Sequence, residues 1–452
     1  MKKKLSMKQT IVVASMLFGM FFGAGNLIFP VHLGQLAGNN MWMAMIGFII
    51  TAVTIPILAV AANATTHSDN LLKLSQKVSN WYGYVFTTAL YLTIGPFFAI
   101  PRCATVSFTT GVAPLIGDFS VTWATLIFSA VFFALVLFFS LKPNGIMTSI
   151  GKVINPIFLV FLAILIVVAL IHPGASVSAV APTADGYVNG TKSFFNGFIE
   201  GYGTMDAIAG LAFGVVVINV IRSLGVEDDG QVAKETVKSG VFTAILMALI
   251  YFLTILIGAQ SLGYTSLSEN GGIAFAEIAE HYLGKFGTII LAITITAACL
   301  KTSIGLVISC SEIFVKMFPK VLNYKLWAII FTVFSFVVSN VGLTAIINYS
   351  LPVLMLLYPL AITLIVLALF DKTFGGSKCV YVCVTVGAFI AAVFDFLKTL
   401  PDAVQTALHI PAATAFAEKV LPLFKLGLGW IVPSVIGLAV GLLLKFTVFR
   451  KK

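Results

Sequence analysis

The chain has 452 residues, 59% of them hydrophobic and only 10% charged, with a formal net charge of +10 and a mean hydropathy of +1.05. That balance excludes a soluble globular enzyme or a large soluble domain and requires an integral membrane protein. It also excludes a nucleic-acid-binding face, because the lysines and arginines are scattered over short loops and not gathered on one module.

Apolar runs of about 20 residues, long enough to cross the hydrocarbon core, recur from end to end. They predict an all-α protein with about twelve spans, at 9–32, 40–62, 81–112, 119–140, 148–171, 195–221, 239–262, 286–314, 325–340, 346–370, 379–397 and 426–448. The first run follows Met1-Lys-Lys-Lys, but no small-residue cleavage site succeeds it, so it is expected to stay as a span.

The first span is interrupted at Gly19-Met-Phe-Phe-Gly23-Ala24-Gly25-Asn26-Leu-Ile-Phe-Pro30. Lipid leaves no partner for unpaired backbone groups, so an unwound stretch survives only where it is buried in protein or lines a polar cavity. Span 3 carries Tyr91, Phe97 and Phe98 around Gly95-Pro96, then Arg102 directly after Pro101. The aromatics suit the wall of an aliphatic pocket or ordinary helix packing. Arg102 is read either as the partner of an acid or as a snorkelling residue at a helix break.

Span 6 repeats the interruption at Gly201-Tyr202-Gly203-Thr204-Met205-Asp206. Two broken helices five spans apart are what an inverted 5+5 repeat places together near the midplane, with spans 1–5 and 6–10 as its halves. Gly210 and Gly214 lie four apart on one helical face, which equally fits close packing. Asp206, beside the break, is read as holding a cation, carrying a proton or capping the unwound backbone. At such breaks, free amides favour an anion and free carbonyls a cation. The amides of Ala24 and Gly25 and the carbonyls near Tyr202 and Thr204 would therefore hold the two ends of a zwitterion, which points to amino acids.

Between spans 7 and 8, residues 265–287 carry Ile273, Phe275, Ala276, Ile278 and Ala279 at helical spacing, predicting a short amphipathic helix at the surface and a lid. Span 8 holds Thr294, Ala298, Lys301, Thr302 and Ser303. Its hydroxyls suit an alkali cation, or simply bond back to the helix. Lys301 either takes the place of that cation or responds to pH. Asp395 and Glu312 fall near span ends, where solvation is the ordinary explanation. Residues 398–425 form a long Pro-containing linker without evident chemistry.

The five cysteines lie in or beside apolar spans as packing residues, and His32, His67, His172, His281 and His409 stand singly, with no metal or redox pattern. No phosphate-binding loop appears. With the N-terminus inside, twenty of the 27 basic residues fall on the inner side, among them Lys2, Lys3, Lys152, Arg450, Lys451 and Lys452. Only Lys192, Lys285, Lys398, Lys419 and Lys425 fall outside, so the positive-inside pattern predicts both termini in the cytoplasm.

Four blocks in order, Phe22-Gly-Ala-Gly-Asn-Leu-Ile-Phe-Pro30, Ile94-Gly-Pro-Phe-Phe-Ala-Ile-Pro-Arg102, Gly203-Thr-Met-Asp206 and Leu351-Pro-Val-Leu-Met-Leu-Leu-Tyr-Pro-Leu360, resemble the bacterial branched-chain amino acid carrier family, the BrnQ-type or LIVCS transporters. That family is similar to the LeuT-like transporters of the APC superfamily. The resemblance implies one membrane domain over 1–452, with repeats at 9–171 and 195–370, helices 1 and 6 broken, and two extra C-terminal helices over 379–448. It implies import of leucine, isoleucine and valine by cation symport with alternating access in the bacterial plasma membrane. No cofactor beyond a bound sodium ion and no obligate protein partner is expected; the other partners are sodium or protons and the bilayer.

By position, Gly23, Ala24, Gly25 and Asn26 with Tyr202, Gly203, Thr204, Asp206 and Phe97 would form the substrate site. The carbonyls of Gly19, Phe22 and Ala298 would face the cation with hydroxyls at 301 and 302. Lys301 departs from that pattern, and a shift of one residue brings Thr302 and Ser303 into the hydroxyl positions. A permease or exchanger of other specificity is the nearer alternative and an ion channel the more distant one. An enzyme is not expected, since no nucleophile–base or metal constellation is visible.

Overall fold

A computed structural model describes residues 4–66, 70–142 and 146–447, the side chains of 146–155 excepted. Lys2, Lys3, His67, Arg450, Lys451, Lys452 and the side chain of Lys152 lie outside the described residues. The described chain is helical throughout, without strands. In order it forms α1 (Met7–Phe21), α2 (Gly25–Ala37), α3 (Met41–Ile49), α4 (Ile55–Thr65), α5 (Leu71–Ser75), α6 (Asn80–Leu92), α7 (Ala99–Ser107), α8 (Val121–Leu141), α9 (Ile146–Ile171) and α10 (Gly190–Glu200). Then come α11 (Asp206–Ser223), α12 (Asp229–Ser261), α13 (Gly271–Met317), α14 (Tyr324–Ser339), α15 (Leu343–Leu369), α16 (Lys378–Lys398), α17 (Asp402–Ala407), α18 (Ile410–Val420) and α19 (Ile431–Thr447).

The anticipated apolar runs fall on these helices, four of them (9–32, 40–62, 81–112 and 195–221) each divided between two successive helices. Among the described residues, eight helical stretches are long and apolar enough to cross a bilayer, and four further apolar helices are shorter. The sequence accounts for most of the ends and bends. Ser6 and Gln9 close a reciprocal capping box on α1. A wide π turn at Ile50–Thr54 joins α3 to α4 just ahead of Pro56, whose ring cannot fit against a regular preceding turn. A second π turn, Thr93–Phe97, contains Pro96 and a non-helical Gly95, and bends the path from α6 into α7.

The expected surface helix ahead of span 8 is the first part of α13. Asn270 caps it, accepting from the amides of Gly272 and Ile273 at 3.0 and 3.1 Å. It ends at Gly284, whose φ of +60° is open to glycine and strained for other residues. The helix is seated more deeply than a surface lid: Phe275, Ile278 and Ala279 are fully buried and α13 packs on α2.

The two broken helices pack reciprocally. α1 and α2 both run along α12, while α10 lies on α3 and α11 on α4. Small residues allow the approach. A Cβ on Gly258 of α12 would overlap the Val31 carbonyl oxygen, and one on Gly34 of α2 would come within 2.7 Å of the Ala259 nitrogen. Gly210 and Gly214 belong to the same class. Their Cβ positions fall 2.7 Å from the Pro56 oxygen and 2.6 Å from Asn63 Nδ2, so both serve the α11–α4 contact.

Gly258→Val is therefore expected to cost roughly 1–3 kcal/mol through overpacking, read as a lower unfolding midpoint in detergent. Gly305→Ala, at a position with nothing within 4 Å of the added carbon, should leave the midpoint unchanged.

Candidate functional site

α1 stops at Phe21 because Phe22 turns to an extended backbone, φ −71° and ψ 100°. The next amide, Gly23 N–H, donates to Asn26 Oδ1 at 2.8 Å instead of to the carbonyl four residues back. Among the described residues the amides of Ala24 and Gly25 find no acceptor. As at any helix end, the last carbonyls of α1, from Gly19 to Phe22, lose their helical donors. The break thus exposes free N–H groups at the start of α2 and free carbonyls at the end of α1.

α10 likewise gives way to a tight turn, Gly201–Thr204, and then to Met205 with φ 64°. A left-handed conformation at a non-glycine residue costs about 1–3 kcal/mol and is typical of segments fixed by their surroundings. Thr204 Oγ1 donates to the Gly201 carbonyl at 3.0 Å. Asp206 opens α11, where the helix dipole favours a carboxylate.

The two breaks meet directly. Asn26 Nδ2 donates to Asp206 Oδ2 at 2.5 Å and also to the hydroxyl of Tyr251 on α12, and Tyr251 in turn donates to Asp206 Oδ2 at 3.3 Å. All three side chains are buried. Arg102 approaches from α7, donating through Nη1 to the Gly203 carbonyl at 2.6 Å, with its guanidinium 5.2 Å from the centroid of Phe29.

Between these groups lies a cavity with about 460 Å³ of atom-free space, its opening included. Gly23, Ala24, Gly25, Asn26, Thr204 and Asp206 line it, joined by Arg102 and the apolar side chains of Met20, Ile94, Phe213 and Leu306.

Other residues anticipated for this site stand apart. Tyr202 is fully buried and stacks on Tyr358 with ring centroids 4.1 Å apart, outside the cavity lining. Gly203 takes part only through its carbonyl. Phe97 is 38% exposed, pairs with Phe334 and does not line this cavity. The bend at Gly95-Pro96 turns it outward and presents Arg102 inward. Tyr251 escaped the sequence reading, although a tyrosine hydroxyl inside an apolar span needs a partner and was the available signal.

The residues anticipated for a cation divide between two cavities. Gly19, Phe22 and Ala298 line a second, small space together with Phe158 and Cys299. Thr302 lines the first cavity and donates to the Ala298 carbonyl at 3.1 Å. Ser303 is fully buried with no partner for its hydroxyl, and neither it nor Lys301 lines either space. Among the described residues no group of His, Cys, Asp and Glu could hold a metal ion, and the cysteines are free.

Asp395 corrects another expectation. It is fully buried, not solvated, and neither carboxylate oxygen has a partner. The stretch read as a linker folds into α17 and α18, and α18 packs on α16. Glu312 is exposed.

A family model described as branched-chain amino acid transport protein matches residues 6–448. The chain is 48% identical over 453 residues to a Lactobacillus delbrueckii subsp. lactis protein named branched-chain amino acid permease BrnQ, covering 100% of both. It is 40% identical over 452 residues to the Bacillus subtilis protein of the same name, again covering 100% of both. A Pseudomonas aeruginosa branched-chain amino acid transport system 2 carrier protein is 37% identical over 428 residues, covering 95% of this chain and 94% of that one. These relatives are named as permeases and carriers, not enzymes.

Among solved structures, the inward-facing conformation of Mhp1 superimposes with a TM-score of 0.65 at 12% identity, covering 98% of this chain and 91% of Mhp1. A manganese transporter of Eremococcus coleocola gives 0.60 at 13% identity, covering 97% of each chain. At such identities the likeness concerns the fold alone, which is LeuT-like.

Proposed function

The chain belongs to the branched-chain amino acid transport protein family, and from that premise we propose that it is a secondary active carrier importing leucine, isoleucine and valine by cation symport. The observation that carries this reading is the junction of the two helix breaks. Free amides at Ala24 and Gly25 and the Asp206 carboxylate share one cavity that also has an apolar flank of Met20, Ile94, Phe213 and Leu306. A zwitterion with an aliphatic side chain needs those three elements: an anion site, a cation site and a hydrophobic slot.

Alternating access would operate between repeats at 9–171 and 195–370, with 379–448 as accessory helices. Both termini lie on the cytoplasmic side of a bacterial plasma membrane in this reading. The cotransported cation is sodium or a proton. The freed carbonyls at Gly19 and Phe22, beside Ala298 and the second cavity, are oxygen ligands of the kind sodium takes.

In proteoliposomes, unlabelled valine and isoleucine should compete with radiolabelled leucine, while glutamate and lysine should not. A panel in which charged amino acids compete best would overturn the substrate assignment. Lys301→Thr is expected to leave leucine affinity within about twofold, since Lys301 lines neither cavity, and equilibrium binding checks this. Repeating uptake on this variant with sodium and proton gradients imposed separately then reports whether Lys301 bears on the choice of cation.

A further inference from the structure

We propose that Arg102 is the charged anchor for the α-carboxylate of the transported amino acid, an assignment that rests on the carrier reading above. Arg102 is only 3% exposed. Its hydrogen bond to the Gly203 carbonyl uses one of five guanidinium N–H donors. Among the described residues no ion pair supplies it with a carboxylate. Asp206, in the same cavity, is engaged instead by Asn26 and Tyr251. Asp206 acts on the guanidinium across the cavity without a direct ion pair, and a buried guanidinium with no carboxylate in contact is costly in a membrane protein. A ligand carboxylate would supply that direct partner.

The geometry places the carboxylate. A Cβ on Gly25 would stand 3.0 Å from Arg102 Nη2 and 3.4 Å from its Cζ, so the open edge of the guanidinium overhangs the start of α2. The unpartnered amides of Ala24 and Gly25 lie at that same corner, and all three residues line the cavity. A helix N-terminus and a planar guanidinium fork each recognise carboxylates, and here they converge on one point. The Asp206 side of the cavity is left for the ammonium group. Arg102 also bonds the unwound turn between α10 and α11, so it links the substrate carboxylate to both breaks.

The test is displacement of radiolabelled leucine from the purified full-length protein by leucine and by 3-methylbutylamine, which is leucine without its carboxylate. The wild type should bind leucine at least about 30-fold more tightly than the amine, the lower end of the cost of leaving a buried charge unpaired. R102Q should weaken leucine by a similar factor while leaving the amine within about threefold, so the discrimination collapses. Labelled amine serves as the tracer wherever leucine binding is lost.

R102K, which keeps the charge but loses the fork, should fall between them, and it carries the test if R102Q is not monodisperse on size exclusion. Equal weakening of leucine and amine would assign Arg102 only to holding Gly203 and overturn the proposal. Unchanged leucine affinity in R102Q would overturn it as well. Wild-type protein that binds neither leucine, isoleucine nor valine would remove the carrier reading itself, and the anchor with it.

Discussion

Asn26→Leu, a substitution close in size and shape, is expected to abolish leucine uptake and to destabilise the protein by about 2–4 kcal/mol. The side chain of Asn26 does three things at once. Its Oδ1 accepts the Gly23 amide, and its Nδ2 is shared between Asp206 and Tyr251. Leucine fills the volume but leaves the Gly23 amide without a partner and the Asp206 carboxylate and Tyr251 hydroxyl with only each other, where water is scarce. Removing one member of a buried polar network while stranding the others is the costly case. Tyr251→Phe deletes one hydroxyl and should cost only about 1 kcal/mol. Unfolding midpoints of both variants in detergent, alongside uptake, would check the ranking.

Gly25→Leu should eliminate uptake for a different reason and leave the fold standing. The first added carbon meets Arg102 Nη2 at 3.0 Å and Thr204 Cα at 3.4 Å, and the rest of the side chain occupies the cavity. Arg102 is a long side chain that can yield, so the cost in stability is modest while the binding space is lost. Gly23→Ala offers the contrast, because its added carbon meets nothing closer than Thr302 Cγ2 at 3.7 Å and should be tolerated. Loss of uptake with a normal elution profile on size exclusion is the expected outcome for Gly25→Leu. Normal uptake would contradict the placement of the substrate.

Much of this was legible because glycine clusters and polar residues in apolar spans have few explanations in lipid. Gly23 to Asn26 and Thr204 to Asp206 announced the two breaks, and helix numbering five apart implied that they meet. Tyr251 was harder to see because its span has no glycine cluster, and only the fold shows that its hydroxyl reaches Asn26 and Asp206. Phe97 misled because one bend at Gly95-Pro96 decides which neighbour faces inward, and that choice depends on packing against α14 and α13. Asp395 misled for a related reason: α16 packs on α15 and α19, and which of its faces they bury is not legible from the sequence.

Span 8 remained ambiguous in sequence since Lys301, Thr302 and Ser303 occupy successive helical directions. In the structure Thr302 lines the first cavity, and Ser303 and Lys301 line neither. One-residue differences of that kind follow from helix rotation, which a single sequence leaves open.

The central claim is that this chain concentrates branched-chain amino acids at the expense of an ion gradient. Its most direct test is radiolabelled leucine uptake into proteoliposomes without ATP, under inward sodium and inward proton gradients imposed one at a time. Accumulation above the external concentration under one of them, lost when that gradient is dissipated, is the predicted result. Leucine that merely equilibrates at the same rate under every gradient would contradict it.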